Sequence, residues 1–226
     1  MIETAVKEIL LNGGVGILPT DTIYGIVGSA FSKKAVARIY KLRKRNLKKP
    51  LIILVSSLKD LNIFGIQLDA KIKNFLRKLW PGKISIILPC PDKKFYYLHR
   101  GTKFLAFRLP KKPDLIKLLK ETGPLVAPSA NWEGFPPAST IKEAKRYFKN
   151  TVDFYVDGGK LIGGPSALIQ IKGGKIEVLR SGGFYKCNEC GFHYLNKRIA
   201  EKCEQWCKKN KSCNLEITKE AVENFF

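Results

Sequence analysis

Short apolar runs, each closed by a proline and a knot of small polar residues, leave this chain few architectures to adopt. Val15 to Leu18 runs into Pro19-Thr20-Asp21-Thr22-Ile23-Tyr24-Gly25, and Leu125 to Ala127 into Pro128-Ser129-Ala130-Asn131. Runs this short between turn residues read as buried strands. The polar residues then stand at the carboxyl ends of strands, where open α/β sheets bind ligands. Ser129 and Asn131 bring a hydroxyl and an amide to a bend, suited to a hydroxyl, carboxylate or phosphate oxygen. Taken singly, each string is also explained by turn and cap chemistry alone.

Helical periodicity fills the intervals. Ile2, Val6, Ile9 and Leu10 share one face of a first helix that Gly13-Gly14 stops. Residues 35–44 read as a helix with Ala35, Ile39 and Leu42 inward, and residues 69–79 as another that Pro81-Gly82 closes. A further helix starts at Pro113 and runs through Leu119, and one capped by Ser139 or Thr140 ends near Phe148. Strands are expected at 51–55, 85–88, 104–109 and 154–156, with a hairpin of 167–171 and 176–179 around Gly173-Gly174. This alternation predicts an α/β domain with a mixed sheet, without internal repeats or low-complexity linkers.

At 226 residues the chain can hold one domain with a sizeable core plus an appendage. No apolar run approaches the roughly 20 residues that span a bilayer, and Met1-Ile2-Glu3-Thr4 lacks the pattern of a signal peptide. A cytoplasmic protein without membrane association is the expectation. Net charge is +22, and the segment from Tyr185 onward carries only +2 of it. Such an excess attracts anions, with nucleotide, pyrophosphate and tRNA as candidates. A lysine-rich solvated surface of the thermophile type accounts for the same composition.

The order of motifs narrows this further. After the first string come Ile39-Tyr40-Lys41-Leu42-Arg43-Lys44-Arg45 with Lys49-Pro50-Leu51, then Trp80-Pro81-Gly82 and Ala106-Phe107-Arg108-Leu109-Pro110. The second string follows, then Asp157-Gly158-Gly159, Pro165-Ser166-Ala167-Leu168 and Leu179-Arg180-Ser181-Gly182. In order and spacing these resemble the YrdC-like family of threonylcarbamoyl-AMP synthases over residues 1–183. The resemblance implies a YrdC-like twisted open mixed sheet flanked by helices. It also implies ATP-dependent synthesis of L-threonylcarbamoyladenylate from L-threonine, bicarbonate and ATP, with release of pyrophosphate. The product would pass to the tRNA threonylcarbamoyl-transferase machinery, with a direct tRNA contact as a further expectation.

Every participant in that reaction is an anion or becomes one, which calls for arginine, lysine and fixed donors more than for a dedicated base. A bound Mg2+ would share the load. By position in the motifs, Thr22, Arg108, Ser129 and Ser166 correspond to residues that hold threonine, and Arg45, Lys49, Asn131, Ser139 and Arg180 to residues around ATP. Arg45, Lys49 and Arg108 are the expected catalytic cations. The planar fork of Arg108 suits a carboxylate. Read without the family, residues 43–49 are equally a solvated helix terminus whose cations favour the dipole.

The chain departs from the family pattern at three places. Arg43-Lys44-Arg45 stands where relatives usually carry Lys-Gly-Arg, which keeps charge but loses a compact ammonium and a flexible glycine. Leu54 stands where many relatives have histidine, which removes one threonine contact, and Ala167 replaces a threonine after Ser166.

Beyond residue 183 the chain carries a cysteine-rich appendage, residues 184–226. Five of the six cysteines lie between Cys187 and Cys213. In a cytosolic chain such clustering favours a metal. Cys187-x2-Cys190-x12-Cys203-x3-Cys207 has the spacing of a two-Cys, two-His zinc finger with cysteines at the histidine positions. Cys190-Gly191 forms the knuckle, and a helix over residues 196–208 presents Cys203 and Cys207 on one face. These four are the expected Zn2+ ligands. Cys213 and His193 stand as substitutes, and reduced cysteines packed as small hydrophobes or a Cys203–Cys213 disulfide as alternatives. A lid, a tRNA contact or a partner-docking surface are the open roles of the appendage. Cys90 reads as packing, His99 has no assigned role, and Asp157 reads as a turn residue with some prospect of facing magnesium.

A reading of another class is an RNA-binding module without catalysis, in which the basic surface grips the backbone. Such a module needs cations, whereas only the enzyme needs Thr22, Ser129, Asn131 and Ser166 beside them, and few aromatics suited to base stacking stand out. Carbamoyl transfer, as in hydrogenase-maturation proteins containing a YrdC-like domain, is a narrower alternative.

Overall fold

A computed structural model of the chain describes residues 4–172 and 174–225. The sequence-based reading of Ile2 and Gly173 falls outside those residues. The body contains α1 (Thr4–Leu11), β1 (Val15–Pro19), β2 (Tyr24–Ser29), α2 (Lys33–Leu42), β3 (Ile52–Leu54), α3 (Ala70–Leu79) and β4 (Ile84–Pro89). It continues with α4 (Tyr96–His99), β5 (Phe104–Arg108), α5 (Pro113–Thr122), β6 (Leu125–Val126), α6 (Ile141–Phe148), β7 (Phe154–Tyr155), β8 (Ala167–Lys172) and β9 (Lys175–Arg180). The nine strands form one sheet in the order β7-β1-β2-β6-β3-β5-β4-β8-β9. Strands β1/β7, β3/β5 and β4/β8 pair parallel and the other neighbours antiparallel, so the sheet is mixed as the alternation predicted.

Consecutive strand residues face opposite sides, and the sheet has a core on each. Ile17, Ile26, Ile53 and Val126 join the larger core, together with Ala35 and Ile39 of α2, Phe75 and Leu79 of α3 and Phe148 of α6. Their neighbours Leu18, Val27, Leu54 and Leu125 face the other way, against Val6 and Leu10 of α1 and Leu115, Leu118 and Leu119 of α5. Side-chain caps start α2, α3 and α6: Ser32 accepts from the Ala35 N–H, Asp69 from Ile72 and Thr140 from Glu143. Thr140 is therefore the cap of α6. Ser139 stands one residue earlier, its own N–H donating to the Glu143 carboxylate at 2.8 Å.

Two local differences from the sequence reading bear on the site. Strand β2 was not evident, because Gly25 and Gly28 thin its apolar pattern, and its presence makes residues 20–23 the turn of a β-hairpin. Helix α2 ends at Leu42, with Arg43 as its C-cap and Lys44 at a φ of 50°, which breaks the helix two residues short of the expected end.

The remaining residues hold β10 (Tyr185–Lys186), β11 (His193–Tyr194), α7 (Lys197–Asn210) and α8 (Leu215–Thr218). β10 and β11 pair antiparallel as a separate two-stranded sheet. Cys187, Tyr194, Ala200, Cys203, Cys207, Ile217 and Ala221 bury one another in a third cluster. No helix among the described residues is long and apolar enough to cross a membrane.

Candidate active site

The β1–β2 turn, the ends of α2, β5 and β9, and the segment after β6 converge on one pocket, open to solvent. Thr20, Thr22, Arg43, Arg45, Arg108, Ser129, Ser166 and Arg180 supply its polar lining. Gly25 completes a wall: a Cβ there would stand 3.3 Å from the Thr20 side chain and 3.5 Å from the Pro128 carbonyl oxygen, inside the pocket. The lining brings four arginines together and contains no carboxylate.

Each arginine is held differently. Arg43 is 3% exposed. Its Nε donates to the Asn131 carbonyl and its Nη2 to Ser129 Oγ and Asn131 Oδ1, all at 3.1 Å, while the buried Nη1 has no partner. Burial, and then the neighbouring Arg45 charge, push its guanidinium down to about 10. Arg108 is equally deep and lies 3.3 Å from Asp21. It donates from Nη1 to Thr22 Oγ1 at 3.2 Å and from Nη2 to Thr20 Oγ1 at 3.5 Å, and its Nε is buried without a partner. Burial lowers Arg108, Asp21 opposes that shift, and the Arg180 charge adds to it. Arg180 donates from Nε to the Ser166 carbonyl at 2.7 Å and from Nη2 to Ser166 Oγ at 3.3 Å. Burial and the Arg45 charge lower it. Arg45 is tied to the Lys49 and Pro50 carbonyls at 3.2 and 3.0 Å, and burial lowers it as well.

Arg43 and Arg108 are buried and each keeps one nitrogen without a partner, while Arg45 and Arg180 are half-buried beside them; such a concentration of positive charge favours an anion. Beside the lining, Asp21 pairs with Arg108 at 3.3 Å through Oδ1, which makes no hydrogen bond, and its Oδ2 accepts the Lys111 N–H at 3.0 Å.

Of the residues singled out from sequence, Thr22, Arg45, Arg108, Ser129, Ser166 and Arg180 line this pocket. Ser166 is buried and also bonds Ser85 Oγ at 2.9 Å. The other three stand apart from the lining. Lys49 is an exposed side chain paired with Glu133 at 2.8 Å. Asn131 is buried, its amide donating to the Trp132 and Phe135 carbonyls at 2.7 Å and its Oδ1 accepting from Arg43. Ser139 Oγ bonds the Glu143 carboxylate at 3.1 Å. Arg43 and Thr20 line the pocket without having been placed in the site from sequence. In the sequence Arg43 stands out only as a departure from the family pattern, because a cation at a helix C-terminus is already accounted for by the dipole.

Leu54 lies fully buried in the smaller core and Ala167 in the larger one, so neither faces the pocket. Asp157 accepts from the Tyr24 hydroxyl at 3.2 Å and from the Gly159 N–H at 2.9 Å, as a turn residue does. Cys90 is buried, which pushes its thiol up to about 11. His99 is buried at the end of α4, its Nδ1 accepting from the Gly101 N–H at 3.1 Å. An aromatic group not foreseen from sequence, Trp132, Phe135 and Tyr147, sits on the surface with Lys44 Nζ 3.7 Å above the Trp132 ring.

In the C-terminal segment the Sγ atoms of Cys187, Cys190, Cys203 and Cys207 all lie within 4.8 Å of one another. Separations of 3.6 Å for Cys190–Cys203 and 4.0 Å for Cys203–Cys207 bracket the roughly 3.8 Å edge of a tetrahedron with metal–sulfur bonds of about 2.3 Å. Burial pushes the Cys190 and Cys207 thiols up, Cys207 to about 12. Cys187 is held below its usual value although burial opposes it, because the Cys190 N–H donates to its sulfur. All six cysteines are free thiols, and Cys213 is exposed. The His193 ring is bonded to Ser181 and Glu223. This cluster can hold a metal ion.

Fold and pocket together define an α/β domain built on a mixed sheet, with an arginine-lined pocket at its strand ends. A family model for the Sua5/YciO/YrdC domain, described as telomere recombination, matches residues 8–182, and the chain belongs to that family. Among curated relatives, a putative threonylcarbamoyl-AMP synthase of Methanocaldococcus jannaschii is 32% identical over 80% of this chain and 86% of its own length. The threonylcarbamoyl-AMP synthase of Bacillus subtilis is 31% identical over 79% of this chain but 52% of its own length, so the chain spans about half of that relative. Among solved structures, Pyrococcus abyssi Sua5 complexed with L-threonine superposes with a TM-score of 0.75 at 27% identity, covering 80% of this chain and 54% of that one.

Proposed function

We propose that residues 1–183 form the catalytic domain of an L-threonylcarbamoyladenylate synthase and that residues 184–226 are a zinc-binding appendage to it. The observation that carries this reading is the convergence of Arg43, Arg45, Arg108 and Arg180 with the hydroxyls of Thr22, Ser129 and Ser166 in one pocket free of carboxylates. A relative crystallised with L-threonine and relatives named for the adenylate supply the substrates.

In this scheme the threonine amine attacks the carbon of bicarbonate. A nitrogen–carbon bond forms, and the displaced hydroxide leaves as water with a proton from the amine. A carbamate oxygen then attacks the α-phosphorus of ATP, and the bond to the β-phosphate oxygen breaks as pyrophosphate departs. Arg108 takes the threonine carboxylate with its free Nε beside Thr22, while Ser129 and Ser166 bond the polar atoms of the amino acid. Arg43, Arg45 and Arg180 face the phosphates and neutralise charge that grows on the leaving group. Lys49, on an exposed stem, exchanges Glu133 for a phosphate oxygen. Asn131 serves the nucleotide by holding the Arg43 fork, and Ser139 by its hydroxyl at the start of α6. A bound Mg2+ would supply further charge neutralisation beside these arginines.

The four cysteine sulfurs would hold Zn2+, which stands in for a core too small to order some 40 residues alone. The adenylate is labile, so a cytoplasmic transferase acting on tRNA is its natural consumer, and the +22 charge suits a tRNA contact. Pyrophosphate release from ATP, with threonine and bicarbonate each present or omitted, tests the reading alongside mass spectrometry of the adenylate. Release that requires both co-substrates supports the synthase. A folded, metal-replete sample that releases none would turn attention to RNA binding.

A further inference from the structure

The cysteine unit is joined to the arginine pocket through one side chain. Residues alternate sides along a strand, and β11 is two residues long, so its side chains point to opposite partners. Tyr194 enters the cysteine cluster, where its hydroxyl donates to Cys203 Sγ at 3.1 Å. His193 faces the body instead. Its Nδ1 lies 2.6 Å from Glu223 Oε1, and its backbone N–H donates to Glu223 Oε2 at 3.1 Å. The carboxylate fixes the ring proton on Nδ1, which leaves Nε2 to accept from the Ser181 hydroxyl at 2.9 Å.

Ser181 directly follows Arg180. The segment it starts is pressed onto the pocket wall: Gly182 has a φ of 47°, and a Cβ there would stand 2.1 Å from the Ala167 nitrogen and 2.3 Å from the Ser166 carbonyl carbon. Arg180 in turn binds both Ser166 oxygens. The appendage is fastened on the far side too, for Val222 is fully buried in the larger core and the Phe225 ring packs 6.1 Å from Phe75. Glu223 lies between these two anchors, so the acceptor that orients His193 is itself fixed.

We propose that His193 is a positioning residue: through Ser181 it sets the Arg180 guanidinium against Ser166, so that phosphate binding in the pocket depends on an ordered cysteine unit. The appendage then senses metal supply, because loss of its metal frees β11 and with it the Ser181 bond. This rests on the synthase reading for the identity of the anion, but the coupling is a property of the pocket itself.

The test uses the full, zinc-replete chain with inorganic pyrophosphate as the probe in titration calorimetry, and nitrogen-15 NMR of the Arg180 Nε–H. His193→Ala is expected to keep its metal, to weaken pyrophosphate by up to about tenfold, the upper end of the worth of one neutral hydrogen bond, and to expose the Arg180 Nε–H to exchange. His193→Gln, which keeps an acceptor for Ser181, restores binding to within about threefold. Ser181→Ala leaves His193 on Glu223 and weakens pyrophosphate as His193→Ala does, which covers the case of a His193 variant that fails to fold. Unchanged affinity and exchange in Ser181→Ala would overturn the proposal, as would equal losses in the alanine and glutamine variants, or a wild-type chain that does not bind pyrophosphate. A wild-type chain that makes no adenylate but shows this dependence on His193 and Ser181 would sink the synthase reading and leave the coupling standing.

Discussion

Arg43 and Ser129 meet at 3.1 Å across the pocket floor, joining the end of α2 to the bend after β6. The contact occupies one nitrogen of a guanidinium that also holds Asn131 and keeps Nη1 free. Arg43 thus fixes the wall and offers charge to the ligand. Arg43→Ala is expected to lower kcat/KM for adenylate formation by about 100-fold, close to the worth of a charge-assisted hydrogen bond in a buried site. Arg43→Lys should recover only part of it, because an ammonium keeps the charge and loses the fork. Steady-state kinetics on both variants check this.

Much of the sheet was legible because apolar runs such as Val15 to Leu18 are bounded by proline and glycine. The pocket was legible in part. Thr22 and Ser129 stand at strand ends, where the residues alone point to a ligand site, whereas Arg45, Arg108, Ser166 and Arg180 were placed by the resemblance to the family's motifs. Arg43 was harder to read, since its role depends on α2 stopping at Leu42, and helix ends are blurred in a run of lysine and arginine. The relay from His193 to Ser181 was not legible at all, for it depends on how two units are set against each other and not on spacing.

Arg108 and Arg45 should divide the substrates. Arg108 lies beside Thr22 and Thr20, whereas Arg45 extends from the loop that carries Lys49. Arg108→Ala is expected to raise the threonine dissociation constant by about tenfold or more, and Arg45→Ala that of ATP, each with a smaller effect on the other ligand. Titration calorimetry with each substrate alone decides it, and equal losses of both ligands in both variants would contradict the division.

Metal in the appendage should follow the four clustered thiols and not the fifth. Elemental analysis is expected to find about one zinc per chain, lost in Cys203→Ser and kept in Cys213→Ser. Chelation should open residues 197–211, which are rich in lysine, to trypsin, with the cut seen by mass spectrometry.

Asp153 gives the body a measurable response to acid. Its carboxylate binds Arg38 at 2.6 and 2.9 Å and accepts the Val15 N–H at 2.8 Å, contacts that hold it below its usual value against the opposing effect of burial. A depressed acid stabilises the fold above its unfolded value, about 3.9. That contribution is lost as pH falls through the lower folded value. The pair is part-exposed, so about 1 kcal/mol is expected. Urea unfolding of wild type and Arg38→Ala should differ by this amount at pH 7 and converge in acid.

Leu54 tests whether a departure from the family pattern weakens the site or belongs to the core. The side chain is fully buried among Leu18, Val27, Leu115 and Leu125. Its neighbour across the β3–β5 pairing is Arg108, whose buried Nε has no hydrogen-bond partner. Leu54→His would insert an imidazole where the surrounding cluster is apolar, at a cost of about 2–4 kcal/mol from lost packing and an unmet polar group. The variant is expected to melt at a lower temperature with no gain in threonine affinity. A tighter threonine complex in Leu54→His would mean that position 54 reaches the ligand when the pocket is filled, and that the leucine has been kept for stability at the expense of binding.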